Sequence, residues 1–481
     1  MNIRCLRRAA TIVTGVTLLG SCAVGPDYQR PSAPAPETFK ELDGWKPTEP
    51  RDGIDRGAWW SIYDDAELDE LERRIALSNQ NVKMVEAQYQ QALALVREAQ
   101  AQLFPTVGLT AGAQRGGGGG GSVSIASSTG SAAGGRDATQ FKLEANASWA
   151  PDIWGSIRRQ IESQKAAAQV SAADLANARL DAQAQLATDY FDLRAADSLG
   201  ELLAAAVAGY QRTLDITRAQ YEAGMAARSD VLTAEAQLQA TKTQLIAVRQ
   251  QRGQYEHAIA ALTGRPPAEV TITPKELTTH VPVVPTGLPS TLLERNPQVA
   301  AAERQMQSEN ALIGVAKAAF FPDLTLTGLF GYAGNPLSSL VSAGNRVWSG
   351  GATATQLLFD AGSHSAALRA AHAVYDQSVA SYRQTVLTAC QQVEDELLAL
   401  HVLQDEAESA TAAVRDAQQA TDVALAEYQA GTVAYTSVVT AQQALIADQQ
   451  TALTVEQNRL VASVTLIEVL GGGWDAQELR L

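Results

Sequence analysis

Cysteine is almost missing from this chain. Its 481 residues include three, Cys5, Cys22 and Cys390, and the first two fall in the opening segment treated below. Cys390 is then alone, so neither a disulfide framework nor a cysteine-built metal site is available. It reads as a small packing residue of a helix. Long apolar runs are missing too: beyond the opening segment none reaches the roughly 18 consecutive apolar residues of a spanning helix. Positive charge is scarce, with 37 Lys and Arg against 52 Asp and Glu. Phosphate contacts need Lys and Arg, so nucleic acid is excluded as a partner. The acidic excess reads as a solvated surface, and it also suits a lumen that favours cations. Five histidines, His257, His280, His364, His372 and His401, are scattered without a His-Glu-x-x-His pair or a ligand cluster. No Gly-x-Ser-x-Gly elbow stands between a strand and a helix. The Gly116–Gly121 run is not followed by Gly-Lys-Ser/Thr, which excludes a phosphate loop. An enzyme is not expected, nor a metal, nor any cofactor beyond a covalent lipid.

What is present begins with an export signal. Arg4, Arg7 and Arg8 precede a short apolar run, Ala9 to Leu19, which ends in Leu19-Gly20-Ser21-Cys22. The order of basic, apolar and small residues is that of a leader. The last four residues resemble a bacterial lipobox, in which the cysteine becomes an acylated N-terminus. An ordinary leader with a chance cysteine is the other reading. Ala23, where an inner-membrane lipoprotein has Asp, points to the outer membrane.

The chain is written twice. Tyr221-Glu-Ala-Gly224 and the stretch Val231 to Leu238 recur as Tyr428-Gln-Ala-Gly431 and Val438 to Leu445. Ala101-Gln-Leu-Phe-Pro105 recurs as Ala318-Ala-Phe-Phe-Pro322. Self-similarity at this separation marks a duplicated unit. Each half predicts a helix, two strands, a very long helix, a turn and a returning helix. Leu68, Ile75, Val82, Tyr89, Val96 and Leu103 fall seven apart, with Leu71, Ser78, Val85, Ala92 and Ala99 between them. Leu292, Val299, Met306, Ile313 and Phe320 repeat the seam, which predicts coiled-coil packing. Proline ends each helix at Pro105 and Pro322.

Beyond each proline the period changes to two. Phe141, Leu143, Ala145, Ala147 and Trp149 alternate with Lys142, Glu144, Asn146 and Ser148, the pattern of a membrane strand with lipid on one face and water on the other. The expected strands are 106–114, 139–149, 323–333 and 350–359, joined by exposed loops at 116–135 and 334–346. Four strands cannot close a barrel, and open edges are not tolerated in lipid. Two chains would supply eight strands and three would supply twelve, and a conducting tube needs more than eight. The long helices, about 156–222 and 363–429, would each reach roughly 100 Å. Shorter helices at 68–103 and 229–263 can lie end to end along one of them.

The residues at this point resemble the TolC-like outer-membrane factors, and within them the NodT-type efflux lipoproteins. The carrying residues are Cys22-Ala-Val-Gly-Pro-Asp-Tyr28, Arg30-Pro31, Ala58-Trp-Trp-Ser-Ile-Tyr-Asp64, Asp152-Ile-Trp-Gly155 and the two Tyr-x-Ala-Gly turns. The resemblance implies a mixed α and β membrane protein. A duplicated helix–hairpin–long-helix unit gives four strands per chain to a shared transmembrane β-barrel, continued by a long periplasmic α-helical barrel in a homotrimer. It also implies an outer-membrane, lipid-anchored exit channel that extends into the periplasm and conducts passively. The implied partners are a periplasmic membrane-fusion adaptor, an inner-membrane transporter, of RND type by preference, and outer-membrane lipid.

In such channels a gate lies at the helix turns. Carried over, a gate carboxylate falls on Asp230 and a gate tyrosine on Tyr428, with Tyr221 and Arg228 as neighbours. The family's gate arginine falls on Val433, and two lumen aspartates fall on Ser437 and Thr440, so that ion pair and that acidic ring are absent as drawn. Asp230 or Ser229 can equally be a helix cap. Gly224 and Gly431 read as helix-ending glycines. The expected divisions are 1–21 signal peptide, 22–65 acylated extension and equatorial segment, and 66–264 first repeat. They continue with 265–290 equatorial linker, 291–473 second repeat and 474–481 tail. The channel of a one-component (type I) secretion system is an alternative. A periplasmic adaptor lipoprotein fits less well, because adaptors carry a lipoyl-like β-domain and this chain has paired membrane-type strands.

Overall fold

The computed structural model describes residues 23–34, 36, 38–42, 58–116, 138–278, 280–282, 295–472, 474 and 479. The expected leader, Cys22, most of the 116–135 loop and Leu292 lie outside them. Helices α1 (Ala66–Ser78) and α2 (Gln80–Ala101) lead into strands β1 (Thr106–Gly116) and β2 (Ala138–Trp149), then into α3 (Ser156–Glu222) and α4 (Arg228–Leu262). The second copy is α5 (Pro297–Ala318), β3 (Asp323–Gly334), β4 (Arg346–Thr355), α6 (Ser363–Gln429) and α7 (Tyr435–Val469). Both long helices have 67 residues and both returning helices 35. No described helix is long and apolar enough to cross a membrane.

Two compact units divide the chain. One takes in 91–168 and 305–379 with the N-terminal segment up to Arg30. It contains an antiparallel sheet in the order β1-β2-β3-β4. Its register puts Leu109 opposite Ala145, Ala145 opposite Phe330, and Phe330 opposite Trp348, so one face is apolar across all four strands. The other face carries Lys142, Glu144 and Asn146, whose amide donates to the Thr110 hydroxyl at 3.0 Å. The last strand corrects the expected 350–359. It runs Arg346–Thr355 because its partner β3 begins at Asp323, directly after Pro322, leaving nothing for residues beyond Thr355 to pair with.

The other unit takes in 31–90, 169–304 and 380–481. Here the expected single helix 68–103 is two helices, broken at Asn79. Asn79 is extended at ψ 125°, and its side-chain oxygen accepts from the amides of Asn81 and Val82 at 2.9 and 3.1 Å. Its side-chain nitrogen donates to the Leu262 carbonyl at 2.9 Å. One asparagine thus starts α2 and satisfies a carbonyl left open at the end of α4. Asn296 does the same in the second copy, accepting from Gln298 and Val299 and donating to the Val469 carbonyl at 2.9 Å. Val82 and Val299, behind these caps, are buried.

The Pro- and Thr-rich linker is pinned by buried charge. Arg194 on α3 donates to Asp197 at 3.1 Å, to the Thr273 carbonyl at 2.7 Å, to Glu67 at 2.5 Å and to the Tyr190 hydroxyl at 3.1 Å. Arg252 on α4 donates to Asp197 and to the Ile272 carbonyl, each at 2.6 Å. Asp65 caps α1 and accepts from Tyr190 and Lys275, each at 2.9 Å. Burial pushes the Asp65 carboxyl up, but those bonds and the α1 amides outweigh it and hold it below the ordinary carboxylate range.

Candidate functional site

The helix turns come first. Beyond α3, Gly224 adopts φ +75°, and the amides of Met225 and Ala226 both donate to the Gln220 carbonyl, at 2.8 and 3.2 Å. The helix α4 is capped at Ala227 rather than at Ser229 or Asp230. Asp230, the third helical residue, reaches back and accepts the Ala227 amide at 3.3 Å and the Ser229 hydroxyl at 3.4 Å. In the second turn Gly431 adopts φ +73°, and the Thr432 amide and hydroxyl both donate to the Glu427 carbonyl at 2.9 Å.

The two turns share a buried cluster of Tyr210, Leu214, Ala234, Leu238, Tyr428, Tyr435 and Val438. The rings of Tyr428 and Tyr435 lie 5.3 Å apart, tilted by 56°. Burial, then Tyr428, Tyr210 and the charge of Asp230 push the Tyr435 hydroxyl up to about 12. The buried Tyr428 hydroxyl has no hydrogen-bond partner among the described residues. Polar ties join the halves: Gln442 donates to the Thr213 hydroxyl at 3.3 Å and Gln443 to Gln237 at 2.9 Å. Arg218 and Glu235 pair across the first hairpin.

Of the residues singled out from sequence, Tyr428 packs against Tyr435, whose hydroxyl also feels the charge of Asp230. Tyr221 and Arg228 are exposed, and Arg228 makes no ion pair with Asp230 among the described residues. Val433 packs on the cluster. Ser437 and Thr440 are exposed, and the Thr440 hydroxyl returns to the Thr436 carbonyl. Among the described residues no group of three His, Cys, Asp or Glu is placed to hold a metal.

The N-terminal segment docks beside the sheet. The Val24 amide donates to the Trp154 carbonyl at 3.0 Å. Gly25, at φ +119°, lies against Gly314, where a Cβ on it would sit 2.5 Å from the Gly314 Cα. Asn310 donates to the Pro26 carbonyl at 3.0 Å, and buried Arg159 donates to Asp27 at 2.8 Å. Gly155 is the floor: a Cβ there would lie 2.7 Å from Ala23. The two sequence motifs Ala23-Val-Gly-Pro-Asp27 and Asp152-Ile-Trp-Gly155 are thus two sides of one contact. Sequence reasoning noted each motif without joining them. It missed the Arg194 network and the two asparagine caps, although Asn-x-x-Val at 79–82 and 296–299 was a readable signal.

An apolar-faced open sheet, a pair of 67-residue helices and a docked N-terminal segment define a channel-forming outer-membrane protein. The family described as "Outer membrane efflux protein" matches residues 72–265 and 288–472, and the chain belongs to it. Its curated relatives include the "Toluene efflux pump outer membrane protein TtgC" of Pseudomonas putida, 27% identical over 96% of this chain and 94% of that one. Another is the "Cation efflux system protein CusC" of Escherichia coli, 27% identical over 95% and 96%. Among solved structures, the outer-membrane channel OprN superposes with a TM-score of 0.86 at 29% identity, covering 94% of this chain and all of that one. The protein is an outer-membrane efflux channel whose strands belong to a shared β-barrel and whose helices belong to an α-helical barrel.

Proposed function

We propose that the chain is the passive exit duct of a tripartite efflux pump. It works as a homotrimer and receives substrate from an inner-membrane transporter, of RND type, through a periplasmic adaptor. It performs no chemistry. The open four-stranded sheet carries this reading: among the described residues it has an apolar face and two unpaired edges, and lipid does not tolerate free edges.

Cys22 is proposed to carry the lipid, since it ends the lipobox-like Leu19-Gly20-Ser21-Cys22 and the residue after it, Ala23, is held against Gly155 at the β2–α3 junction. The intact mass of protein extracted from native membranes is expected to exceed that of the cleaved polypeptide by its acyl chains. An unmodified Cys22 refutes the anchor.

Asp230 and Tyr428 are proposed to hold the turns closed, with Tyr221, Arg228, Gly224 and Gly431 shaping them. In planar bilayers, Asp230→Ala and Tyr428→Phe are each expected to raise the closed-state conductance several-fold. The Tyr428 hydroxyl is unpaired among the described residues, so its loss is expected to be nearly neutral for folding. A change in conductance then reports a contact made between copies, and unchanged conductance in both variants removes the gate.

A further inference from the structure

Two arginines interrupt the apolar face of the sheet, one on each hairpin. Arg115 lies opposite Thr139 and is the next residue on that face after Ala113, which lies opposite Phe141. Arg346 lies opposite Tyr332 and is the next residue on that face beyond Trp348, which lies opposite Phe330. Opposed strand residues share a face, and alternate residues along a strand return to it. Both arginines therefore project from the face that carries Phe141, Phe330 and Trp348, and both are exposed. Among the described residues that face is otherwise uncharged. The remaining charges of the strands, Lys142, Glu144 and Asp323, fall on the opposite face.

Both arginines stand at the loop ends of their strands. At the other ends, where the strands join the helices, the same face carries Val107, Trp149, Leu324 and Ala354 and no charge. The helices extend into the periplasm, so the loop ends lie on the outer-leaflet side. From Val107 to Arg115, and from Ala354 to Arg346, a strand rises about 27 Å along its own axis, which is about 20 Å across a bilayer at a tilt of about 40°. Most of an apolar band about 25 Å tall thus lies below the two guanidinium groups. Their long side chains carry the charge further outward, to the level of the lipid headgroups.

Arginine on a lipid-facing strand is costly at the midplane and tolerated near either interface. Tolerance alone would allow charge of both signs at both ends. Here there is one sign, at one end, and arginine both times. A guanidinium presents a planar fork of donors that matches a phosphate in a two-point contact, as an ammonium does not. Basic side chains at headgroup level recognise anionic lipid. The outer leaflet of a bacterial outer membrane is built of lipopolysaccharide, whose sugar headgroup carries phosphates directly above its acyl chains. We propose that Arg115 and Arg346 each bind a phosphate group of this glycolipid, with its acyl chains lying on the apolar face below. The proposal rests on the chain's place in the outer-membrane barrel, and it needs neither the homotrimer nor the pump.

Lipid titrations test it. Bisphosphorylated lipid A, lipid A stripped of both phosphates, and phosphatidylglycerol are added separately to the full-length protein in detergent, and bound lipid is counted by native mass spectrometry. The unaltered protein is expected to bind the bisphosphorylated form roughly tenfold or more tightly than the stripped form, as charge-assisted hydrogen bonds to phosphate imply. Arg115→Gln with Arg346→Gln is expected to abolish that preference, leave binding of the stripped form as it was, and melt where the unaltered protein melts, because both side chains are exposed. Equal binding of the two forms of lipid A by the unaltered protein overturns the site without recourse to any variant. A preference that survives in the double glutamine variant overturns the assignment to these two arginines. Phosphatidylglycerol held as tightly as bisphosphorylated lipid A overturns the glycolipid as the occupant.

Discussion

Replacing Arg194 with alanine is expected to destabilise the protein by about 3–5 kcal/mol, the range for breaking a buried ion pair from one side. The guanidinium is 2% exposed and serves two acids, a tyrosine hydroxyl and a backbone carbonyl at once. Its removal leaves Glu67 without that partner, Asp197 with only Arg252 and the Lys275 amide, and the Thr273 carbonyl open. Each orphan must then find water or stay unsatisfied in a low-dielectric site. The loss also has an address, because Arg194 and Arg252 hold the linker residues Ile272 and Thr273 to α3 and α4. Thermal melting of the detergent-solubilised protein should fall steeply, and limited proteolysis should open first within residues 265–282. Lys275→Ala is the control. Its ammonium is 59% exposed, and a surface pair of this kind contributes at most about 1 kcal/mol. Equal melting of the two variants would mean that the network carries no more than a surface pair does.

Residue spacing made the architecture legible and left most of the joints illegible. The period-two run Phe141 to Trp149 and the recurring Phe-Pro placed the strands, because lipid and water impose alternation directly on sequence. The fourth strand drifted because Leu357, Leu358 and Phe359 look like strand residues. Only the position of the partner strand, fixed by Pro322, ends the pairing at Thr355. The seven-residue seam from Leu68 ran through Asn79 unbroken, since a cap is a single residue and leaves the apolar spacing on both sides intact. Arg194 gave no signal, because the partners that tie it to α1 and the linker, Glu67 and Thr273, lie far away in sequence. At the helix turns the glycines were legible from composition. That Tyr428 packs on Tyr210 and Tyr435 depends on how the two hairpins pack together, and no local pattern records it.

The glycines that end the four hairpin helices allow a second large effect to be separated from a small one. All four adopt positive φ: +75° at Gly224, +73° at Gly431, +70° at Gly264 and +94° at Gly471. An alanine in such a conformation costs about 1–2 kcal/mol in any setting. At Gly224 and Gly431 an added Cβ meets nothing within 4 Å, so that backbone term is the whole cost. At Gly471 the Cβ would fall 1.9 Å from the Arg295 carbonyl oxygen, and at Gly264 it would fall 2.2 Å from that of Ser78. No rotamer relieves a clash with backbone. Arg295 immediately precedes Asn296, so moving that carbonyl away draws the asparagine from the Val469 carbonyl and undoes the cap. A lost cap of about 1 kcal/mol and a buried polar group left open at about 1–3 kcal/mol then add to the strain. Gly471→Ala and Gly264→Ala should each destabilise by about 4 kcal/mol, against about 1 kcal/mol for Gly224→Ala or Gly431→Ala, read as the order of their melting temperatures. The outcome to look for against this is a flat series. Four equal shifts would mean that the ends of α4 and α7 are not seated on Ser78 and Arg295, and that the asparagine joints do not hold the short helices in line with the returning ones.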